Sequence, residues 1–138
     1  MLLFFKASAN TVAFSAYASN TANYNTGNTV QFDQELLDTG NHYDNTQGKF
    51  TCPANGLYLF TASFEANDDN SMVGEIVVDD VHSLRVYVEY STHDQNSNTV
   101  LIECLESQQV WVECTADGRQ MSGGRSSSFS GVLISMYP

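Results

Sequence analysis

From Thr11 onward the chain reads as short runs in which apolar and polar residues alternate, interrupted by clusters of Asn, Asp, Gly and Ser. A period of two puts successive side chains on opposite faces of a pleated strand, so such runs predict half-buried β-strands. The series begins with TVAFSAYA (11–18) and continues through NTVQF (28–32), ELLDTG (35–40) and KFTCP (49–53). GLYLFTASFEA (56–66), MVGEIVVDD (72–80), SLRVYVEY (83–90), TVLIECLE (99–106), QVWVEC (109–114) and SFSGVLISMY (128–137) complete it. No stretch of helical period competes with these runs. About ten short strands with regular turn signals predict an all-β antiparallel sandwich or jelly roll.

Two of the runs predict more than their own existence. In SLRVYVEY, Leu84, Val86 and Val88 alternate with Arg85, Tyr87 and Glu89, giving one face to a core and the other to water or a neighbour. In 56–66, Tyr58, Phe60, Ala62, Phe64 and Ala66 form one apolar stripe, while Leu57 and Leu59 put apolar groups on the opposite face. A strand apolar on both faces is central or packs a subunit contact. The corner before it is architectural. Pro53 has no N–H and ends the pairing of KFTC, and Gly56 is expected to let the chain turn.

The chain has 138 residues, enough for one domain with a sizeable core. We assign 1–10 as an N-terminal segment and 11–138 as the domain. The 16 acidic residues against 5 basic ones give a net charge of −11, which repels phosphate backbones and anionic membrane surfaces. Nucleic acid and membrane insertion are therefore excluded as partner classes. A cation, a neutral polar ligand or a basic partner stays open. The opening MLLFF meets Lys6 at once, too short an apolar run for a secretory signal or a membrane span, so the chain reads as soluble. No Asn begins an N-x-[ST] sequon, and glycosylation is not expected.

Catalytic signatures are lacking: there is no G-x-S-x-G elbow, H-E-x-x-H pair, P-loop or dinucleotide fingerprint. His42, His82 and His93 are scattered, so the expectation is a non-enzyme. The three cysteines cannot all pair within one chain. If 99–106 and 109–114 form a hairpin, Cys104 faces Val110 or Val112. Cys114 then lies roughly 7–8 Å or more away, too far for a disulfide. Cys114 closes its strand beside the loop TADGRQMSGGRSS, which makes it the expected accessible thiol and the candidate for an interchain disulfide.

With no catalytic machinery, function is expected in loops on a rigid sandwich. Successive connections in an antiparallel sandwich alternate between ends, so 67–71, 92–98 and 115–125 should emerge together. They gather Asp68, Asp69, Asn70, His93, Asp94, Gln95, Asn96, Asp117 and Arg119 as candidate ligand-binding residues. Carboxylates, amides and a guanidinium are the groups that hold calcium or sugar hydroxyls.

AFSA (13–16), VQFDQELLDTGNHYD (30–44), GKFTCPANGLYLF (48–60), QVWVE (109–113) and SSFSGVLI (127–134) resemble, in order and over most of the chain, the signatures of the complement C1q-like globular domain. The resemblance implies a ten-stranded jelly roll of the tumour-necrosis-factor type, usually trimeric and usually secreted. It implies structural roles for Tyr43, Asp44, Phe50, Trp111, Phe129 and Gly131, and an unpaired buried thiol at Cys52. In some relatives a calcium ion sits near the loop end at the trimer axis, which makes Asp94 the candidate metal ligand and calcium the candidate cofactor. The functional expectation is a secreted lectin that binds N-acetylated hexosamines or related surface glycans, multivalent as a homo-oligomer. The alternatives are a hormone-like ligand for a protein receptor, with Tyr87 and Trp111 on its outward face, and a matrix role.

Overall fold

The computed structural model describes residues 11–67, 70–90 and 94–138. Among the described residues the chain forms twelve strands. The first sheet comprises β1 (Ala13–Tyr17), β3 (Gln34–Asp38), β6 (Gly56–Glu65), β9 (Gln95–Cys104) and β12 (Ser128–Met136), in the order β3-β1-β12-β6-β9. The second contains β4 (Tyr43–Asp44), β5 (Lys49–Thr51), β7 (Met72–Val78), β8 (Val81–Val88) and β10 (Gln109–Cys114), in the order β4-β5-β10-β7-β8. A ribbon pairs β2 (Ala22–Tyr24) with β11 (Arg119–Met121); β2, β4 and β11 are strands beyond the ten expected, and 28–32, expected as a strand, forms none. All pairings are antiparallel.

The inward faces meet in an aromatic core. Phe14 stacks on Phe50 at 4.7 Å and on Tyr43 at 4.9 Å, and meets Phe129 edge-on at 5.0 Å. Offset and edge-on arrangements suit the ring quadrupoles. Phe14 and Phe60 flank Gly131 in register, and a Cβ there would lie 2.5 Å from Phe60 and 2.6 Å from Phe14. Only a glycine lets the two rings close over β12. Tyr43 donates its hydroxyl to the Phe32 carbonyl at 2.7 Å, satisfying a polar group in this apolar interior. The structural roles expected for Tyr43, Phe50, Phe129 and Gly131 follow from these contacts.

β6 behaves as its pattern implies, with Tyr58, Phe60, Ala62 and Phe64 fully buried and neighbours on both edges. Gly56 is not a turn residue, however. It opens β6, and a Cβ there would lie 2.5 Å from the Ser135 carbonyl oxygen, so glycine is needed for close approach to β12. In β8, Val86 and Val88 are buried but Leu84 is exposed. The register shifts between Glu75 and Val77, and the extra residue in β8 rotates Leu84 outward. NTVQF makes only an isolated bridge, Thr29 to Glu113, although Val30 and Phe32 are fully buried.

β9 and β10 are not a hairpin. β9 pairs with β6 in one sheet and β10 with β5 and β7 in the other, so the connection crosses the sandwich. Cys104 and Cys114 therefore belong to different layers. All three cysteines are free and buried.

Candidate functional site

The described loops converge on one end through main-chain bonds. Ala66 N donates to the Asp94 carbonyl at 2.7 Å, Gln120 N to Ser71 O at 3.4 Å, and Ser122 N to Glu65 O at 3.3 Å. Segment 18–28 joins them, with Gly27 N on Cys114 O at 2.9 Å and Gly124 N on Ser19 O at 3.0 Å. This segment carried no signal beyond its Asn content.

Within that end the candidate side chains are anchored at separate points. The Asp117 carboxylate accepts the Thr26 amide at 3.0 Å, which holds its pKa below the usual carboxylate value. Gln95 donates through Nε2 to Ser126 O at 2.8 Å and Ser63 Oγ at 3.2 Å, and Asn96 through Nδ2 to Tyr87 O at 2.9 Å. Arg119 donates to Ser71 Oγ, while its Nε is buried with no protein partner. Asp94 is exposed and Asn70 half-buried. Asp68, Asp69 and His93 lie outside the described residues. Several of these amides and carboxylates thus hold the loops together.

Calcium takes roughly six to eight oxygen ligands. Among the described residues no group of three or more His, Cys, Asp or Glu is placed to hold a metal ion. Cys114 corrects the accessible-thiol expectation. Its backbone is paired with Gly74, its Sγ donates to the Ala116 carbonyl at 3.2 Å, and burial raises its pKa. A fully buried thiol cannot reach a second chain in this fold.

A cavity of about 450 Å³ opens where the edge strands of the two sheets, β3 and β4, approach each other. It is lined by Glu35, Asn41, His42, Tyr43, Asp44, Asn45 and Thr51. Its rim is fixed by two carboxylates. Asp38 accepts the amides of His42 at 3.0 Å and Tyr43 at 3.2 Å. Asp44 accepts Thr46 Oγ1 at 2.7 Å and the amides of Thr46 and Gln47, and these bonds hold its pKa low. Gly40 and Asn41 both take left-handed backbone angles, with φ of 81° and 61°. A Cβ on Gly40 would meet the His42 ring at 2.5 Å, so this tight turn aims the imidazole. The density of polar residues in DTGNHYDN was the available signal, masked because the stretch doubles as a structural landmark.

Two outward faces complete the surface. On the second sheet, His82 bridges Glu75 at 2.6 Å and Glu113 at 3.1 Å, and Lys49 lies 4.4 Å from the Trp111 ring centre. Trp111 is buried beneath that ammonium, in keeping with a packing role, whereas Tyr87 is exposed. On the first sheet, Val132, Leu59 and Leu101 align in register on the face away from the core, and beyond a register shift in β12 Ile134 and Met136 are exposed. The adjacent row is hydroxylic, with Ser15 to Ser130 at 2.8 Å and Thr99 to Thr61 at 3.2 Å.

Two five-stranded antiparallel sheets around one aromatic core define a jelly-roll domain. The C1q domain family model matches residues 13–134, and the chain belongs to that family. It is 32% identical over 113 residues to the mouse collagen alpha-1(X) chain, covering 78% of this chain and 16% of that protein. It is 32% identical over 92 residues to human complement C1q and tumor necrosis factor-related protein 9B, covering 65% of this chain and 27% of that one. The chain thus spans less than a third of either relative. Among solved structures it is similar to the globular domain of zebrafish complement 1qA, with TM-score 0.75, 20% identity, and coverage of 93% and 100%. No helix among the described residues is long and apolar enough to cross a membrane.

Proposed function

We propose that this domain is a secreted, non-catalytic recognition module that binds surface carbohydrate, with an acetamido hexose as the preferred unit, and acts as a homo-oligomer. The observation that carries the reading is the edge cavity. Its volume suits one or two sugar rings. Asn41 and Asn45 offer amides to sugar hydroxyls or an acetamido carbonyl, and Glu35 accepts hydroxyl hydrogens. The turn is fixed before ligand arrives, which reduces the ordering cost of binding. The loop end, with exposed Asp94 and Asp117, is a second candidate contact region. Self-association through the apolar row of the first sheet would multiply weak single-site affinity.

A glycan array in calcium and in chelator, repeated with Asn41→Ala and with Asp94→Ala, tests ligand class, site and ion together. Selective binding weakened by Asn41→Ala supports the edge cavity, and binding weakened only by Asp94→Ala moves the site to the loop end. Loss in chelator would bring calcium in.

A protein-receptor reading is favoured by one different observation. β8 is an edge strand of the second sheet and leaves the apolar groups of Val81, Leu84 and Tyr87 exposed to a protein contact. Saturable binding to one cell-surface protein, lost in Tyr87→Ala and indifferent to sugars, would support it.

A further inference from the structure

Cys52 and Cys104 come from opposite layers of the sandwich and meet in its interior. Cys52 follows β5 in the second sheet, and Cys104 ends β9 in the first. Both are fully buried and belong, with Tyr58, to the one apolar core. The backbone holds them there from both sides. Cys104 pairs with Gly56, and the turn directly after it returns to Cys52: Ser107 N donates to Cys52 O, and Cys52 N donates to Gln108 O, each at 2.8 Å. Fixed backbone thus brings two buried cysteines of opposite sheets to one turn, the approach from which a disulfide can close.

We propose that Cys52 and Cys104 are a dithiol that closes to an intrachain disulfide bridging the two sheets, with a small-molecule disulfide such as oxidised glutathione as oxidant. The Cys104 sulfur loses its proton and attacks one sulfur of the oxidant, releasing the first glutathione thiolate. Cys52 then loses its proton and attacks the Cys104 sulfur of the mixed disulfide, expelling the second. The protein loses two electrons and two protons; the oxidant's S–S bond breaks, and both protons end on two glutathione thiols. Because neither sulfur reaches the surface, the exchange runs during folding or through opening of this end, and is slow in the closed sandwich. Cys114 stays reduced, since it is paired in the second sheet beside Gly74 and bonded to Ala116.

The test refolds the reduced full chain in a glutathione redox buffer and, in parallel, in dithiothreitol. The expected result is an intact mass lower by two hydrogens only in the glutathione sample, with thiols titrated in denaturant falling from the three of the sequence to one. Digestion without reductant then yields a linked pair of peptides containing Cys52 and Cys104. A Cys114→Ala chain should show the same two-hydrogen loss, and Cys104→Ala should show none. Three titratable thiols after refolding in the oxidising buffer would overturn the proposal, as would linked peptides containing Cys114. The readout is indifferent to sugar binding, so its failure leaves the carbohydrate reading where it stood.

Discussion

At the scale of single residues, the core depends on a position with no side chain. Gly131 leaves the space that Phe14 and Phe60 fill, and a methyl there must displace two rings packed on several others. Gly131→Ala should destabilise the domain by about 1–3 kcal/mol, as overpacking of close-packed cores does, read as a lower urea midpoint at unchanged slope. Tyr43→Phe leaves the Phe32 carbonyl without its partner and should cost about 1–3 kcal/mol. Buried tyrosines also set an alkaline limit. Burial pushes Tyr58 from its usual value near 10 up to about 12. The fold favours its protonated form, so the contribution is fully present below pH 10 and is lost as pH rises through 12. Urea midpoints should hold steady from neutrality toward pH 10 and fall beyond it, and Tyr58→Phe should flatten that fall.

At the scale of elements, long strands were legible and short ones were not. β6 and β12 carry enough alternation to reveal their periodicity, whereas β2, β4 and β11 have two or three residues each and exist because neighbours pair with them. The β9–β10 connection was misread because sequence proximity suggests a hairpin, while the crossover between layers is set by the partners β6 and β7. Leu84 followed the alternation until a bulge reversed it. The loop end was foreseen from alternating connections, but the edge cavity was not, since it forms where β3 and β4 approach from separate sheets. Its turn depends on Asp38 accepting two amides. Asp38→Ala should therefore lower sugar affinity by about tenfold, equivalent to ~1.4 kcal/mol, in a titration of the folded protein.

At the scale of the whole molecule, the two outer faces divide the work. The second sheet presents charge, with His82 between two glutamates and Lys49 over Trp111, while the first presents the row of Val132, Leu59 and Leu101 with Ile134 and Met136. The proposed self-association rests on this exposed apolar row. Ile134→Asp and Leu101→Asp should each shift the protein to monomer by light scattering while leaving its circular dichroism unchanged. Avidity for a glycan-coated surface should fall by at least about a hundredfold in those monomers, with single-site affinity for free sugar retained.

The measurement that bears most directly on function is titration of the purified protein with a soluble acetamido hexose, beside the Asn41→Ala and Asn45→Ala variants. The parent should bind saturably and each variant should lose about tenfold or more in affinity, as expected when a directed hydrogen bond is removed. Binding of equal strength in all three proteins would contradict the edge cavity as the sugar site, and no binding by the parent would contradict the carbohydrate reading itself.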